Sequence, residues 1–265
     1  MFKPFFEGLL SQAREKASSD PRFVGLLAGG SLMTGTLDEF SDLDLIVVYD
    51  AAYREEILEE RLHYAKSLGP LLSAFTGEHV GEPRLLICLY DFKGRLLHVD
   101  LKFVSVPELA DRMEDPVILW ERSGEVKKVL LDTTCHSENV DIQWMEDRFW
   151  VWIHYCATKL GRGELFEVID SLAFIRSSVL GPLIQVKNGK LPRGVRRLEQ
   201  FNSQTVIRLK DTLPAHTPKS CYRAIKEAIK IYRELRQDYP ELEPRLDAED
   251  KVVPYLDRVY ESFAL

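Results

Sequence analysis

The sequence predicts an α+β protein in two parts, a strand-bearing first half interleaved with helices and a helical second half. Three observations carry this. Short apolar and β-branched runs bounded by turn residues stop near Leu131. From Ile142 onward the text consists of long helical patterns broken at Gly161-Arg162-Gly163, Gly181-Pro182, Asn188-Gly189 and Leu213-Pro214. The length of 265 residues suits two domains of ordinary size, each with its own core. The polar connection from Asp132-Thr133-Thr134 through Ser137-Glu138-Asn139 sets the expected boundary, giving residues 1–138 and 139–265.

Phe5 to Ala17 has apolar residues at helical spacing and stops at Ser18-Ser19-Asp20-Pro21. Phe23 to Ala28 is a short apolar run closed by Gly29-Gly30, a buried strand feeding a tight turn. Leu43 to Tyr49 is apolar and β-branched on both faces after its entry, so it is placed centrally in a sheet. Tyr53 to Leu68 reads as an exposed amphipathic helix. Arg84 to Asp91 and Arg95 to Val104 form a hairpin across Phe92-Lys93-Gly94. In its second strand His98, Asp100 and Lys102 share one face, opposite Leu97, Val99, Leu101 and Phe103. Lys127 to Leu131 is a further strand candidate. The first helix of the second half, Ile142 to Leu160, holds three of the four tryptophans and aligns Phe149, Trp152, Ile153, Cys156 and Leu160 on one stripe.

Composition narrows the function. A chain 45% hydrophobic and 29% charged has enough apolar residues to fold and is not a disordered tail. Its net charge of −7 has the wrong sign for holding long nucleic acid by counterion release. No run approaches the ~18 apolar residues of a membrane span, and the Met1-Phe2-Lys3-Pro4 start lacks the order of a signal peptide. Cys88, Cys135, Cys156 and Cys221 form no C-x-x-C pair, so they read as reduced thiols in a cytoplasm. The expectation is a cytoplasmic protein with neither nucleic acid nor membrane as partner.

The chemistry concentrates in Gly30-Ser31, three residues, Gly35, and then Ser41-Asp42-Leu43-Asp44, between two strand candidates. At about 6% abundance each, five specified residues at that spacing recur by chance about once per million windows. Asp42 and Asp44 face the same side of a strand with α-carbons about 6.5–7 Å apart, close enough to reach one hard cation. Ser31 and the glycine turn can bring a hydroxyl and backbone N–H groups against phosphate oxygens. A carboxylate and a phosphate charge 4 Å apart repel by about 4 kcal/mol at an effective dielectric of 20, so acids beside a triphosphate demand a divalent cation, Mg²⁺. Asp100, on a strand about 4.8 Å away if it lies adjacent, becomes the third acid, a metal ligand or the base for an attacking hydroxyl.

Gly30-Ser31-x3-Gly35, then Asp42-Leu43-Asp44, with Asp100 on a later strand, resembles the nucleotidyltransferase superfamily that includes polymerase beta. Within it, the length and the helical second half are similar to the aminoglycoside and lincosamide nucleotidyltransferases. The resemblance implies a mixed sheet with flanking helices, followed by a helical bundle that binds substrate and closes the cleft. It implies a nucleoside triphosphate as co-substrate with Mg²⁺, transfer of a nucleoside monophosphate to an acceptor hydroxyl of a small molecule, and release of pyrophosphate. Gly30 and Ser31 would contact the β- and γ-phosphates, Asp42 and Asp44 would hold Mg²⁺, and Asp100 would be base or third ligand. Several antibiotic-modifying members use a glutamate where this strand offers Asp100. Leu32-Met33 replaces the small or basic residues that many members carry after the serine. The resemblance also allows a homodimer with the acceptor between two chains.

Other readings stand beside this one. Lys159 and Arg162 are either triphosphate ligands or basic residues at a helix end, where the dipole favours them. Asp147 and His154 line an acceptor pocket or the wet side of their helix. Asp170, in an otherwise apolar helix from Leu165 to Leu180, reads as buried and in want of a partner. His98 reads as a satisfied surface residue, and Arg193, Arg196 and Arg197 as a solvated face. The competing functions are a nucleotidyltransferase acting on protein and a non-catalytic nucleotide sensor or antitoxin-like partner.

Overall fold

The computed structural model describes residues 4–33, 35–92, 94–136, 139–201 and 203–263. Lys93 of the expected hairpin turn, Ser137 and Glu138 of the expected boundary, and the Met1–Lys3 start lie outside the described residues. The fold is α+β, and the chain divides into two compact units, Met1–Ser137 and Glu138–Leu265.

The first unit runs α1 (Pro4–Ser19), β1 (Phe23–Ala28), α2 (Gly30–Met33), β2 (Leu43–Tyr49), α3 (Arg54–Ser67), β3 (Leu71–Gly77), β4 (Glu82–Phe92), β5 (Arg95–Ser105), β6 (Val117–Glu121) and α4 (Glu125–Asp132). Its sheet has the order β3-β4-β5-β2-β1-β6. β2 and β5 are parallel and every other neighbouring pair is antiparallel. β1 and β2 are interior strands with both faces covered, which is why they read as near-continuous apolar runs. One face packs Leu45, Val47, Val99, Leu101 and Phe103 against Phe6 and Leu9 of α1 and Ile57 and Tyr64 of α3. The other packs Val24, Leu27, Val48 and Val104 against Leu109 and Val126 of α4.

One sequence expectation changes here, and two strands went unforeseen. Lys127 to Leu131 is helical, not a strand: Val126, Val129 and Leu130 stand at helical spacing against the second core, a period that a window starting at Lys127 misses. β3 and β6 did not announce themselves. Both are edge strands, β3 with Leu72 and Phe75 more than half exposed, so neither carries the alternation of a half-buried strand.

The second unit contains α5 (Ile142–Gly161), α6 (Leu165–Ile175), α7 (Gly181–Lys187), α8 (Gln204–Leu209), α9 (Pro218–Leu235) and α10 (Leu246–Glu261). The α5 stripe holds, with Phe149, Ile153, Cys156 and Leu160 fully buried and Trp152 half-buried. The Phe149 and Tyr232 rings stack with centroids 3.8 Å apart. Gly181-Pro182 does not break the chain as expected. A π-helical turn, Arg176–Leu180, joins α6 to α7, and Pro182 falls at the start of α7, where its missing N–H is tolerated. Gly181 is required there, because a Cβ would stand 2.2 Å from the Gly194 carbonyl oxygen. Asp170 is exposed, not buried, since it follows Phe166 on the outer side of α6 while Leu165, Val168 and Leu172 face inward.

Candidate active site

β1 ends at Ala28, and the chain turns through Gly29 and Gly30 into the single turn of α2. Gly30 has φ +57°, and a Cβ there would lie 1.9 Å from Asp44 Oδ2, so conformation and space both demand glycine. The Gly29 N–H donates to the Asp44 carbonyl at 2.9 Å, which pins the turn to the start of β2. Ser31 is buried, and its carbonyl accepts from Thr36 N–H at 3.1 Å. Gly35 has φ +67° with open space around it, so its requirement is conformational alone. The loop then tightens through Ser41 Oγ donating to Asp38 Oδ1 at 2.8 Å, immediately before Asp42.

The parallel register aligns Asp44 with Asp100 on adjacent strands. Both belong to the face that carries Val48 and Val104 further along, at the end that α4 leaves uncovered. Asp42 stands just before β2, which begins at Leu43, and is half-buried. Two like charges on one rung of a sheet are destabilising by themselves. Asp100 is 24% exposed and lies 3.0 Å from Nε2 of His98, whose ring is 54% exposed. A carboxylate only accepts, so Nε2 carries the hydrogen and Oδ1 is the engaged oxygen. His98, expected to share the Asp100 face and read as a satisfied surface residue, is exposed and tied to the acid beside it.

Beyond this rung the same face continues with the Ile46–Lys102 pair. Lys102 Nζ meets Glu82 Oε2 at 2.8 Å, and Glu82 also takes two hydrogen bonds from Arg84 at 2.7 Å each. The Arg84 bonds, with Lys102 adding to them against the opposing effect of burial, hold the Glu82 carboxyl down at about 2. Glu108 is partly desolvated, which opposes ionisation. Even so, the Ser105 N–H, Arg54 and the Ser105 hydroxyl keep it at about 2. Sequence reading missed this network because Glu82 and Glu108 lie in stretches without a motif.

The other candidates lie in the second unit. Lys159 and Arg162 stand at the C-terminal end of α5, and Glu164 engages both, bonding Lys159 Nζ and standing 3.9 Å from the Arg162 guanidinium. Asp147 accepts from Arg245 at 2.7 Å and from Gln143 at 2.9 Å. His154 is exposed and stacks on Tyr255 with centroids 5.0 Å apart. The arginine loop is fastened by its backbone, with Gln185 bonding the Arg193 N–H and the Arg196 carbonyl.

The donor set suits a hard cation. Its members are carboxylate oxygens set beside a glycine turn, and Mg²⁺ is characteristically held by one or two carboxylates with phosphate oxygens and water completing its shell. Among the described residues no group of three or more His, Cys, Asp or Glu side chains is gathered closely enough to hold a metal ion. The three acids therefore do not form a closed protein cage, and the register brings two of them side by side.

Fold and site together define an α+β domain whose glycine-serine turn abuts acidic residues on adjacent parallel strands. Residues 10–80 match the family model of the nucleotidyltransferase domain, a span that includes the turn, Asp42 and Asp44 and ends before Asp100. The match supports nucleotidyl transfer as the general activity. Among solved structures, the chain is similar to a nucleotidyltransferase-like protein from Exiguobacterium sibiricum, with 13% identity, 85% of this chain and 75% of that chain covered, and a TM-score of 0.41. No curated protein sequence matches. Among the described residues, no helix is long and apolar enough to cross a membrane.

Proposed function

We propose that the chain is a Mg²⁺-dependent nucleotidyltransferase that moves a nucleoside monophosphate, AMP from ATP, to a hydroxyl of a small molecule. The observation that carries this reading is the Asp44–Asp100 rung set against the Gly30 turn. Gly30 and Ser31 would receive the β- and γ-phosphates, and Asp42 and Asp44 would hold the metal, with Asp100 able to join them. When bound, Mg²⁺ neutralises charge on the triphosphate and on the departing pyrophosphate. Asp100 accepts the proton of the acceptor hydroxyl. With Oδ1 engaged by His98, Oδ2 is the oxygen for that proton. The acceptor oxygen bonds to the α-phosphorus, the bond from that phosphorus to the bridging oxygen breaks, and pyrophosphate leaves. The resemblance to aminoglycoside and lincosamide enzymes makes those two antibiotic types the first acceptors to try. Residues 1–138 would then be the catalytic domain and 139–265 the substrate-binding domain, with Lys159 and Arg162 as triphosphate ligands once released from Glu164.

The test is a pyrophosphate-release assay with ATP and Mg²⁺ across an acceptor panel, alongside calorimetric titration of ATP with and without the ion. Turnover that disappears in Asp42→Ala and Asp44→Ala is the expected result. Retained activity in those variants removes the proposal, and metal-dependent ATP binding without turnover on any acceptor favours a nucleotide sensor.

A further inference from the structure

A pocket of about 170 Å³ opens on the sheet face one rung beyond Asp44 and Asp100. Ile46, Val104, Leu109, Met33 and Met113 provide its apolar lining. An apolar cavity of ~150 Å³ takes up a benzene-sized ring, so this space suits a single flat ring system. Gly29 and Met33, both in the lining, bracket the Gly30-Ser31 turn. Along the strands, the step from the Asp44–Asp100 rung to the Ile46–Lys102 rung is about 7 Å, roughly the reach of a sugar between a phosphate and its base.

The charges around the pocket have partners already. Lys102 is held by Glu82, and Glu108 by Arg54, Arg84 and Ser105. Arg112 is buried and spends its guanidinium on Asp115, Thr133 and the Leu130 carbonyl at the end of α4. Asp111 meets His136 at 3.3 Å, and Glu114 is engaged as well. A polycationic amino sugar would find no uncompensated carboxylate here. A neutral flat ring would meet methionine thioethers and aliphatic carbons, which adapt to such a shape.

We infer that this pocket receives the base of the nucleotide, and receives it by shape and apolar contact. The inference rests on the reading of the chain as a nucleotidyltransferase. Its consequence is that the enzyme gains affinity from having a base while discriminating weakly between bases, because the surrounding polar side chains are already satisfied.

The test compares ATP, GTP and inorganic tripolyphosphate, each titrated calorimetrically with Mg²⁺ into the full chain and into Met113→Trp. Met113 is 41% exposed at the pocket, so the larger ring can fill it without rebuilding the core. The expected result is ATP binding about tenfold or more tighter than tripolyphosphate, with GTP within about threefold of ATP. Met113→Trp brings both nucleotides down to the level of tripolyphosphate and leaves tripolyphosphate unchanged. A nucleotide advantage that survives Met113→Trp overturns the inference and places the base elsewhere. An advantage for ATP alone overturns the shape-only recognition. Tripolyphosphate binding with no nucleotide advantage in the unaltered chain sinks the base pocket but spares the nucleotidyltransferase reading, whereas failure of all three ligands to bind sinks both.

Discussion

Glu146 in the helical unit and Asp100 in the sheet unit are both carboxylates that accept from a neighbouring nitrogen, yet their surroundings differ. Glu146 is fully buried and accepts from Trp150 Nε1 at 3.0 Å, the Arg245 N–H at 2.8 Å, Arg236 at 3.3 Å and the Tyr232 hydroxyl. Arg236 continues to Glu249, which also takes Arg233, so the network closes on itself around the Trp150 ring. Asp100 is partly open to solvent and sits on the rung of another carboxylate, with an exposed histidine as its hydrogen-bond donor. A buried acid surrounded by donors is a structural device that locks α5, α9 and α10 together. Adjacent acids on one rung of a sheet cost stability instead, which sets the Asp44–Asp100 pair apart from an acid surrounded by donors.

Substitutions can break this contrast. The largest effect belongs to Glu146→Ala, which leaves Arg236, Tyr232 and Trp150 facing a void and costs about 3–5 kcal/mol in denaturant unfolding. A loss under about 1 kcal/mol would show that the network is dispensable. Asp44→Asn is expected to leave thermal unfolding nearly unchanged, because it removes one of two like charges. It should lower nucleotidyl transfer about 10³-fold, equivalent to about 4 kcal/mol, read by pyrophosphate release. Equal losses of fold and activity would erase the difference between the two acids.

Gly30→Ala sharpens the comparison from the backbone side. Its left-handed φ and the 1.9 Å approach of a new Cβ to Asp44 Oδ2 predict about 1–3 kcal/mol of destabilisation, measured by urea titration. Triphosphate binding should weaken as well, because the carboxylate must move. The smallest effect is graded with pH. Glu82 and Glu108 are held at about 2 in the folded chain against an ordinary 4.5. The unfolded chain binds more protons between about pH 4.5 and about 2, so their contribution is complete above that window and lost as pH falls through it. Urea midpoints measured across this range should fall with acidity, and less steeply in Glu82→Gln.

The spacing of Gly30, Ser31, Gly35, Asp42 and Asp44 was legible because strand alternation and turn stereochemistry are local rules. They also located β1 and β2 residue for residue and put His98, Asp100 and Lys102 on one face. The edge strands β3 and β6 were not legible, since half-exposed strands do not have to alternate. α4 was misread because its inward stripe begins at Val126, outside the window that suggested a strand. Asp170 failed for a related reason: an apolar helix such as α6 can expose Phe166, so composition alone did not tell which side was inside.

Local chemistry along the chain settles which residues can turn, alternate or carry charge, and so it chose the glycine bend, the acids and the division between sheet and helices. Which acid stands beside which is a matter of strand order. Asp44 and Asp100 are 56 positions apart in the chain and become neighbours because β5 pairs in parallel with β2, one specific register among several that apolar patterning would permit. The pocket at the next rung and the engagement of its surrounding charges follow from the same long-range pairing, because they join side chains from four or more segments that no single window of sequence contains.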